Sequence, residues 1–88
     1  MAAVANGQPM SLPPLPDLRL YSRAGCHLCE DAETALFGLG VIFERVDISG
    51  NAELERLYGW DVPVLSLGGA VIAKGVLGRE RLRRVLKL

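Results

Sequence analysis

The chain has 88 residues, half of them apolar, and its 10 basic and 10 acidic side chains give a formal net charge of zero. A chain of this length forms one small domain and buries about 60% of the surface of its unfolded state. Because there is no excess of basic residues and no run near the about 18 apolar residues of a membrane-spanning helix, we expect neither nucleic acid nor a membrane as a partner.

Residues 1–16 are predicted to form a flexible tail in front of the domain. Residues 1–11 are small or polar without a period, and the sequence LPPLP at residues 12–16 favours an extended polyproline conformation. This stretch is either part of the tail or a ligand for a proline-binding domain. Residues 1–9 have neither the basic start nor the apolar core of a secretory signal, so we expect a cytoplasmic protein.

Residues 17–88 are predicted to form one domain of strands and helices. Apolar side chains three and four residues apart indicate helices, short β-branched and aliphatic runs indicate strands, and glycines mark the ends. The predicted elements are a strand at 18–22, a helix at 27–39, a strand at 41–48, a helix at 52–58, strands at 64–67 and 70–73, and a helix at 79–87.

This order, β-α-β-α-β-β-α, predicts an α/β fold in which three helices flank a four-stranded mixed sheet. A right-handed crossover makes the first two strands parallel, and a glycine hairpin adds antiparallel strands. The apolar start of the second strand, at 41–43, is typical of a buried parallel strand. In the helix at 52–58, Leu54, Leu57 and Tyr58 are predicted to face the core.

Cys26 and Cys29 are the only cysteines, and they stand three residues apart at the predicted start of the first helix. Thiols at this spacing can close a disulfide, and a helix N-terminus stabilises a thiolate. Beside a βαβ pattern in a cytosolic chain, the motif is typical of thioredoxin-like redox proteins. Cys26 is predicted to be the nucleophile and Cys29, one turn further in, the resolving thiol. A pair of core thiols is the alternative.

Charged neighbours act on the Cys26 thiolate in both directions. Arg23 and the helix N-terminus favour it, whereas Glu30 and Asp31 oppose it. His27 either adds to the stabilisation when it is protonated or is a solvent-facing spacer.

A metal site built from Cys26, His27 and Cys29 is the competing interpretation. A structural zinc site takes four ligands, and adjacent helical residues do not face each other. An iron–sulfur cluster would need a second chain or glutathione. We therefore expect no metal.

The order of elements, the CxxC after the first strand and the Val-Pro step before the third resemble the thioredoxin superfamily at glutaredoxin size. A small glutaredoxin-like family is more similar still, over about residues 18–88, and implies a thioredoxin-like fold with dithiol chemistry. The matching positions are Leu20-Tyr21, Cys26-His27-Leu28-Cys29, Ala32, Val46-Asp47-Ile48, Leu54, Tyr58-Gly59 and Val62-Pro63-Val64-Leu65.

The same resemblance implies that Pro63 is cis and lies against the disulfide, although only about 5% of X-Pro bonds in folded proteins are cis. The backbone of Val62 would then be free to pair with an extended substrate. Trp60 is predicted either to line this groove or to pack in the core, and Tyr21 to pack in the core.

Ordinary glutaredoxins have a basic residue three positions before the first cysteine and an acidic residue entering the last helix, where glutathione is held. Arg23 keeps the basic position, but Arg79 stands in the neighbourhood of the acidic one. We therefore expect no cofactor, and glutathione to bind weakly if it binds.

Together these features predict a monomeric, cytoplasmic thiol–disulfide oxidoreductase. Cys26 and Cys29 are the catalytic candidates, and the substrate-binding candidates are Arg23, His27, Val62 and Pro63. The substrate is a disulfide-containing protein or a small thiol, with thioredoxin reductase or glutathione as reductant. The alternative is a binding module without turnover, which holds a cluster through its cysteines or docks a partner on its last, basic helix.

Overall fold

The computed structural model describes residues 17–88, and the predicted tail at 1–16, with its proline stretch, lies outside the described residues. Every predicted element is found, in the predicted order. The elements are β1 (Leu18–Ser22), α1 (His27–Leu39), β2 (Glu44–Asp47), α2 (Ala52–Tyr58), β3 (Val64–Leu67), β4 (Ala70–Lys74) and α3 (Arg79–Leu86).

The four strands form one mixed sheet in the order β2-β1-β3-β4. β1 is parallel to β2 and antiparallel to β3, with Tyr21 paired with Val64, and β4 is antiparallel to β3. The carboxyl end of β1 therefore lies beside the amino end of β3 at one end of the central strands. The residues that follow Ser22 and those that precede Val64 thus leave the sheet at the same end, and these two stretches carry the cysteine motif and the Val-Pro step.

Helices cover both faces of the sheet, as predicted. Leu18 and Leu20 are buried on the face that carries α1 and α3, while Tyr21 points to the other face and packs on Tyr58 of α2, with ring centroids 4.5 Å apart. None of the helices within residues 17–88 is long and apolar enough to cross a membrane. The main core joins the sheet to α1 and α3 through Leu18, Leu20, Ala32, Ala35, Leu36, Leu65, Ala73, Leu77, Leu82 and Leu86.

The structure corrects two predictions about burial. β2 is an edge strand that begins only at Glu44, and Ile42 before it is 66% exposed. The apolar run predicted a buried strand because Val41 and Phe43 do pack against the core, but they do so from a loop. In α2, Leu57 is 46% exposed rather than inward-facing, because this short helix covers only part of its face of the sheet.

Candidate functional site

Cys26 is the N-cap residue of α1. Its backbone is extended, and its sulfur accepts a hydrogen bond from the amide of Cys29 at 3.2 Å. The preceding turn is closed by the Cys26 amide, which donates to the Arg23 carbonyl at 3.3 Å, and Gly25 takes a positive φ of 76° in it. A glycine adopts this backbone without the cost a side chain would add. The sequence therefore holds the Cys26 sulfur at the amide-rich end of the helix.

Cys26 and Cys29 form a disulfide, as their spacing predicted, with their Cα atoms 5.2 Å apart. Such a separation lies within the range that disulfide geometry requires. Cys29 is only 1% exposed, whereas Cys26 is partly exposed at the mouth of the helix. An incoming thiolate can therefore approach the sulfur of Cys26 more readily than that of Cys29.

The two residues between the cysteines face the solvent. The His27 side chain is 96% exposed, and its Nδ1 atom lies 3.6 Å from Oε1 of Glu30 one turn along the helix. Leu28 is 41% exposed. The His27 side chain is thus accessible to a bound substrate. A charge on its imidazole would be paired with the Glu30 carboxylate.

Arg23 is held by a carboxylate that sequence analysis missed. Its two terminal nitrogens donate to the two carboxylate oxygens of Glu55 at 2.9 and 2.8 Å, and one of them also donates to the Gly59 carbonyl at 3.0 Å. Hydrogen bonding to Glu55 raises the pKa of Arg23. The positive charge expected to favour the Cys26 thiolate is therefore largely balanced by Glu55. The two residues are 32 positions apart, so no local pattern could have paired them.

Trp60 stands beside this ion pair. Arg23, Glu55, Gly59 and Trp60 line an open pocket of about 260 Å³. Trp60 is 99% exposed, so of the two alternatives predicted for it, packing in the core is wrong. Trp60 instead forms one wall of this pocket.

The Val62–Pro63 peptide bond is cis, as the resemblance implied. The Pro63 carbonyl accepts a hydrogen bond from Gly75 at 3.0 Å, which fixes the loop after β4 next to the proline. The Val62 amide donates to the Tyr58 carbonyl at 3.1 Å. The prediction of a free Val62 backbone is therefore wrong for its amide, because the chain leaving α2 already uses it.

Arg79 is the first residue of α3, as predicted, but its side chain turns toward α1. Its guanidinium covers the backbone of Gly38, twelve residues after Cys26 and about 18 Å along α1. Arg81 instead supports the loop before α3, since it donates to the carbonyls of Lys74 at 2.8 Å and Val76 at 3.0 Å. The side chain of Arg79 is long enough to reach the far half of α1, so its charge is directed away from the cysteines.

The described residues around the cysteines do not form a metal-binding cluster. Within residues 17–88, no group of three or more His, Cys, Asp and Glu side chains is arranged to hold a metal ion. A metal or cluster at Cys26 and Cys29 would therefore take its other ligands from outside these residues.

Asp47, at the carboxyl end of β2, is paired in register with Ser22. Its Oδ1 atom accepts a hydrogen bond from the Ser49 amide at 2.9 Å, and hydrogen bonding to Ser49 lowers the pKa of Asp47. A carboxyl group whose pKa is lowered by folding stabilises the fold above its unfolded pKa, and this stabilisation is lost as the pH falls through the folded pKa.

We therefore expect Asp47→Asn to be less stable than the parent protein at pH 7, and the difference to shrink below the ordinary aspartate pKa of about 3.9. Urea unfolding of both proteins at pH 7 and at pH 3 measures it. Asp31→Asn on α1 is the control, because it removes an exposed carboxylate that does not accept the hydrogen bond of the Asp47 turn. Its effect on stability should change less between the two pH values. An Asp47→Asn difference of equal size at both pH values would contradict the assignment.

Comparison with known proteins agrees with this geometry. The family described as Glutaredoxin-like domain (DUF836) matches residues 17–87. The chain is similar to the X-ray structure of target protein XcR50 from X. campestris, with 38% identity, 80% of this chain and 95% of that one covered, and a TM-score of 0.74. The solution structure of Ne2328 from Nitrosomonas europaea has 30% identity, coverages of 91% and 96%, and a TM-score of 0.66. No curated protein is similar enough to count as a match.

Proposed function

The chain belongs to the glutaredoxin-like domain family, and we propose that it is a thiol–disulfide oxidoreductase. The observation that carries this proposal is the pairing of a partly exposed Cys26, at the N-cap of α1, with a buried Cys29. In such a pair, the accessible sulfur can attack the substrate disulfide and the buried sulfur can then release the reduced product.

The proposed reaction consumes one substrate disulfide and oxidises the cysteine pair. The Cys26 thiolate attacks one substrate sulfur, which forms a mixed disulfide and releases the other sulfur as a thiolate. The Cys29 thiolate then attacks the Cys26 sulfur, which releases the second substrate thiolate and closes the Cys26–Cys29 disulfide. Two electrons pass to the substrate, whose two thiolates take up protons according to their pKa values.

The helix N-terminus is the main support for the Cys26 thiolate in this proposal. The Cys29 amide already points at the Cys26 sulfur, so it can stabilise negative charge there without rearrangement. Arg23 adds little to the stabilisation of the thiolate because Glu55 balances its positive charge. Glu30 in the first turn repels the negative charge of the thiolate. We therefore expect a thiolate pKa in the upper part of the roughly 3.5–7.5 range of such motifs.

The substrate is proposed to lie across His27, Val62 and Pro63. Among the described residues nothing donates to the Val62 carbonyl, which leaves it as the backbone acceptor for an extended substrate. We propose a disulfide-containing protein or a small thiol as substrate, thioredoxin reductase or glutathione as reductant, and a cytoplasmic monomer that needs no cofactor, with residues 17–88 as its working domain.

Turnover and redox potential test the proposal directly. We expect the protein to catalyse reduction of insulin disulfides by dithiothreitol, with a reduction potential between about −200 and −270 mV. Thioredoxin reductase and the glutathione system are compared as electron donors, and the former should serve better. Failure to turn over insulin with any of the three reductants, together with a potential outside this range, would favour a binding module.

That second function has one observation of its own. Arg83 and Arg84 are exposed in the last turn of α3, with Lys87 following, whereas Arg79 and Arg81 are used within the fold. This basic end of the helix could dock an acidic partner without any use of the cysteines.

A further inference from the structure

The ion pair beside the cysteine motif combines two groups suited to recognise a substrate carboxylate. A guanidinium binds a carboxylate best through two parallel hydrogen bonds. Arg23 makes this arrangement with Glu55, adds a third bond to the Gly59 carbonyl, and keeps 35% of its side chain exposed. The protein's own carboxylate therefore occupies the position that a bound carboxylate would take.

We infer that Glu55 is a specificity-determining residue that blocks Arg23 and so disfavours small thiols that carry a carboxylate, glutathione among them. The inference rests on the proposed oxidoreductase function and names the substrate class that its site selects against. A ligand carboxylate has to displace Glu55, which is attached to the same chain and present at a high effective concentration. A protein disulfide that approaches without a carboxylate at this pocket meets no such competition.

The backbone around Glu55 holds it in this position. Glu55 lies within α2, whose N-cap Asn51 accepts from the Leu54 amide at 3.0 Å, and the Gly59 amide donates to the Glu55 carbonyl at 2.8 Å. A side-chain carbon at Gly59 would collide with the Glu55 carbonyl and lie 3.1 Å from its Oε1 atom. The missing side chain at Gly59 therefore leaves room for Glu55, whose carboxylate pairs with Arg23.

The test measures glutathione binding by NMR titration in a Cys26→Ser/Cys29→Ser background, so that no disulfide chemistry contributes. We expect Glu55→Gln to bind glutathione about fivefold more tightly, which is the effect of an ion pair of about 1 kcal/mol. Glu53→Gln is the matched control, because Glu53 lies on the same helix but pairs with Arg56. It should leave the affinity within twofold, since it leaves Arg23 paired.

Two further measurements separate a blocked site from a general change in structure. Glu55→Gln should show no increase in affinity for glutathione diethyl ester, which lacks the free carboxylates. The double variant Arg23→Gln/Glu55→Gln should lose the increase in affinity for glutathione. Glu55→Asp, whose shorter side chain withdraws the carboxylate, is the second variant if Glu55→Gln does not fold. An unchanged affinity in the folded variant, or an equal gain without Arg23, overturns the inference. Insulin turnover by the protein with both cysteines is scored separately and reports only on the proposed function.

Discussion

Replacing Cys26 with serine is expected to reduce insulin-disulfide reduction to the uncatalysed rate. A hydroxyl at the N-cap can still accept a hydrogen bond from the Cys29 amide, so α1 keeps its cap. It cannot form a disulfide with the substrate, and the remaining Cys29 thiol is 1% exposed in the parent structure. The loss should therefore appear in turnover, measured as insulin precipitation, while circular dichroism shows a folded protein.

The matched change Cys29→Ser should behave differently. It leaves the accessible nucleophile in place and removes the thiol that resolves the intermediate, so a mixed disulfide through Cys26 should accumulate. Mass spectrometry of Cys29→Ser after reaction with a disulfide peptide should show the adduct, and any remaining activity should be that of one thiol. If brief alkylation of the reduced parent protein labels Cys29 before Cys26, the two roles have been assigned in the wrong order.

The cysteine motif was predictable because its determinants are local. Gly25, the two cysteines and the helical period that begins at His27 follow one another closely, so the local sequence alone indicates a thiol at a helix N-terminus. The order of elements followed from the same kind of signal, since glycines and apolar periods mark each boundary. The family resemblance supplied the cis bond before Pro63, which no local pattern indicates.

The electrostatics of the site depend on contacts between distant segments and were not predictable in this way. The sequence shows a basic residue at Arg23, but its partner Glu55 is brought to it only when α2 packs across the sheet. The sequence also shows Arg79 near the end of β4, but the length of its side chain takes the charge to Gly38. The sequence position of Arg79 therefore did not reveal where its charge lies, and nothing in the sequence indicated that Glu55 pairs with Arg23.

The fold itself depends on how α3 packs against α1, the helix that begins at the cysteine motif, and Leu82 is the residue that tests this packing. Leu82 is fully buried in the core between the sheet, α1 and α3. We expect Leu82→Ala to lower the free energy of unfolding by about 2–5 kcal/mol, through lost burial and the cavity left behind. A domain of this size has a total of only about 4–11 kcal/mol at ~0.05–0.15 kcal/mol per residue.

Because so little stability is available, the loss should lower the melting temperature by at least about 8 °C, at roughly 4–8 °C per kcal/mol for a small domain. Leu57→Ala is the matched control: it is the same chemical change, made where the side chain is 46% exposed, and should cost less than about 1 kcal/mol. Both variants are unfolded in urea with the disulfide intact, so that the denatured chains carry the same cross-link. Equal losses in the free energy of unfolding for the two variants would mean that the packing of Leu82 between α3 and α1 does not stabilise the fold. A selective loss in Leu82→Ala would show that the helix bearing Cys26 is held in place from a position 56 residues further along the chain.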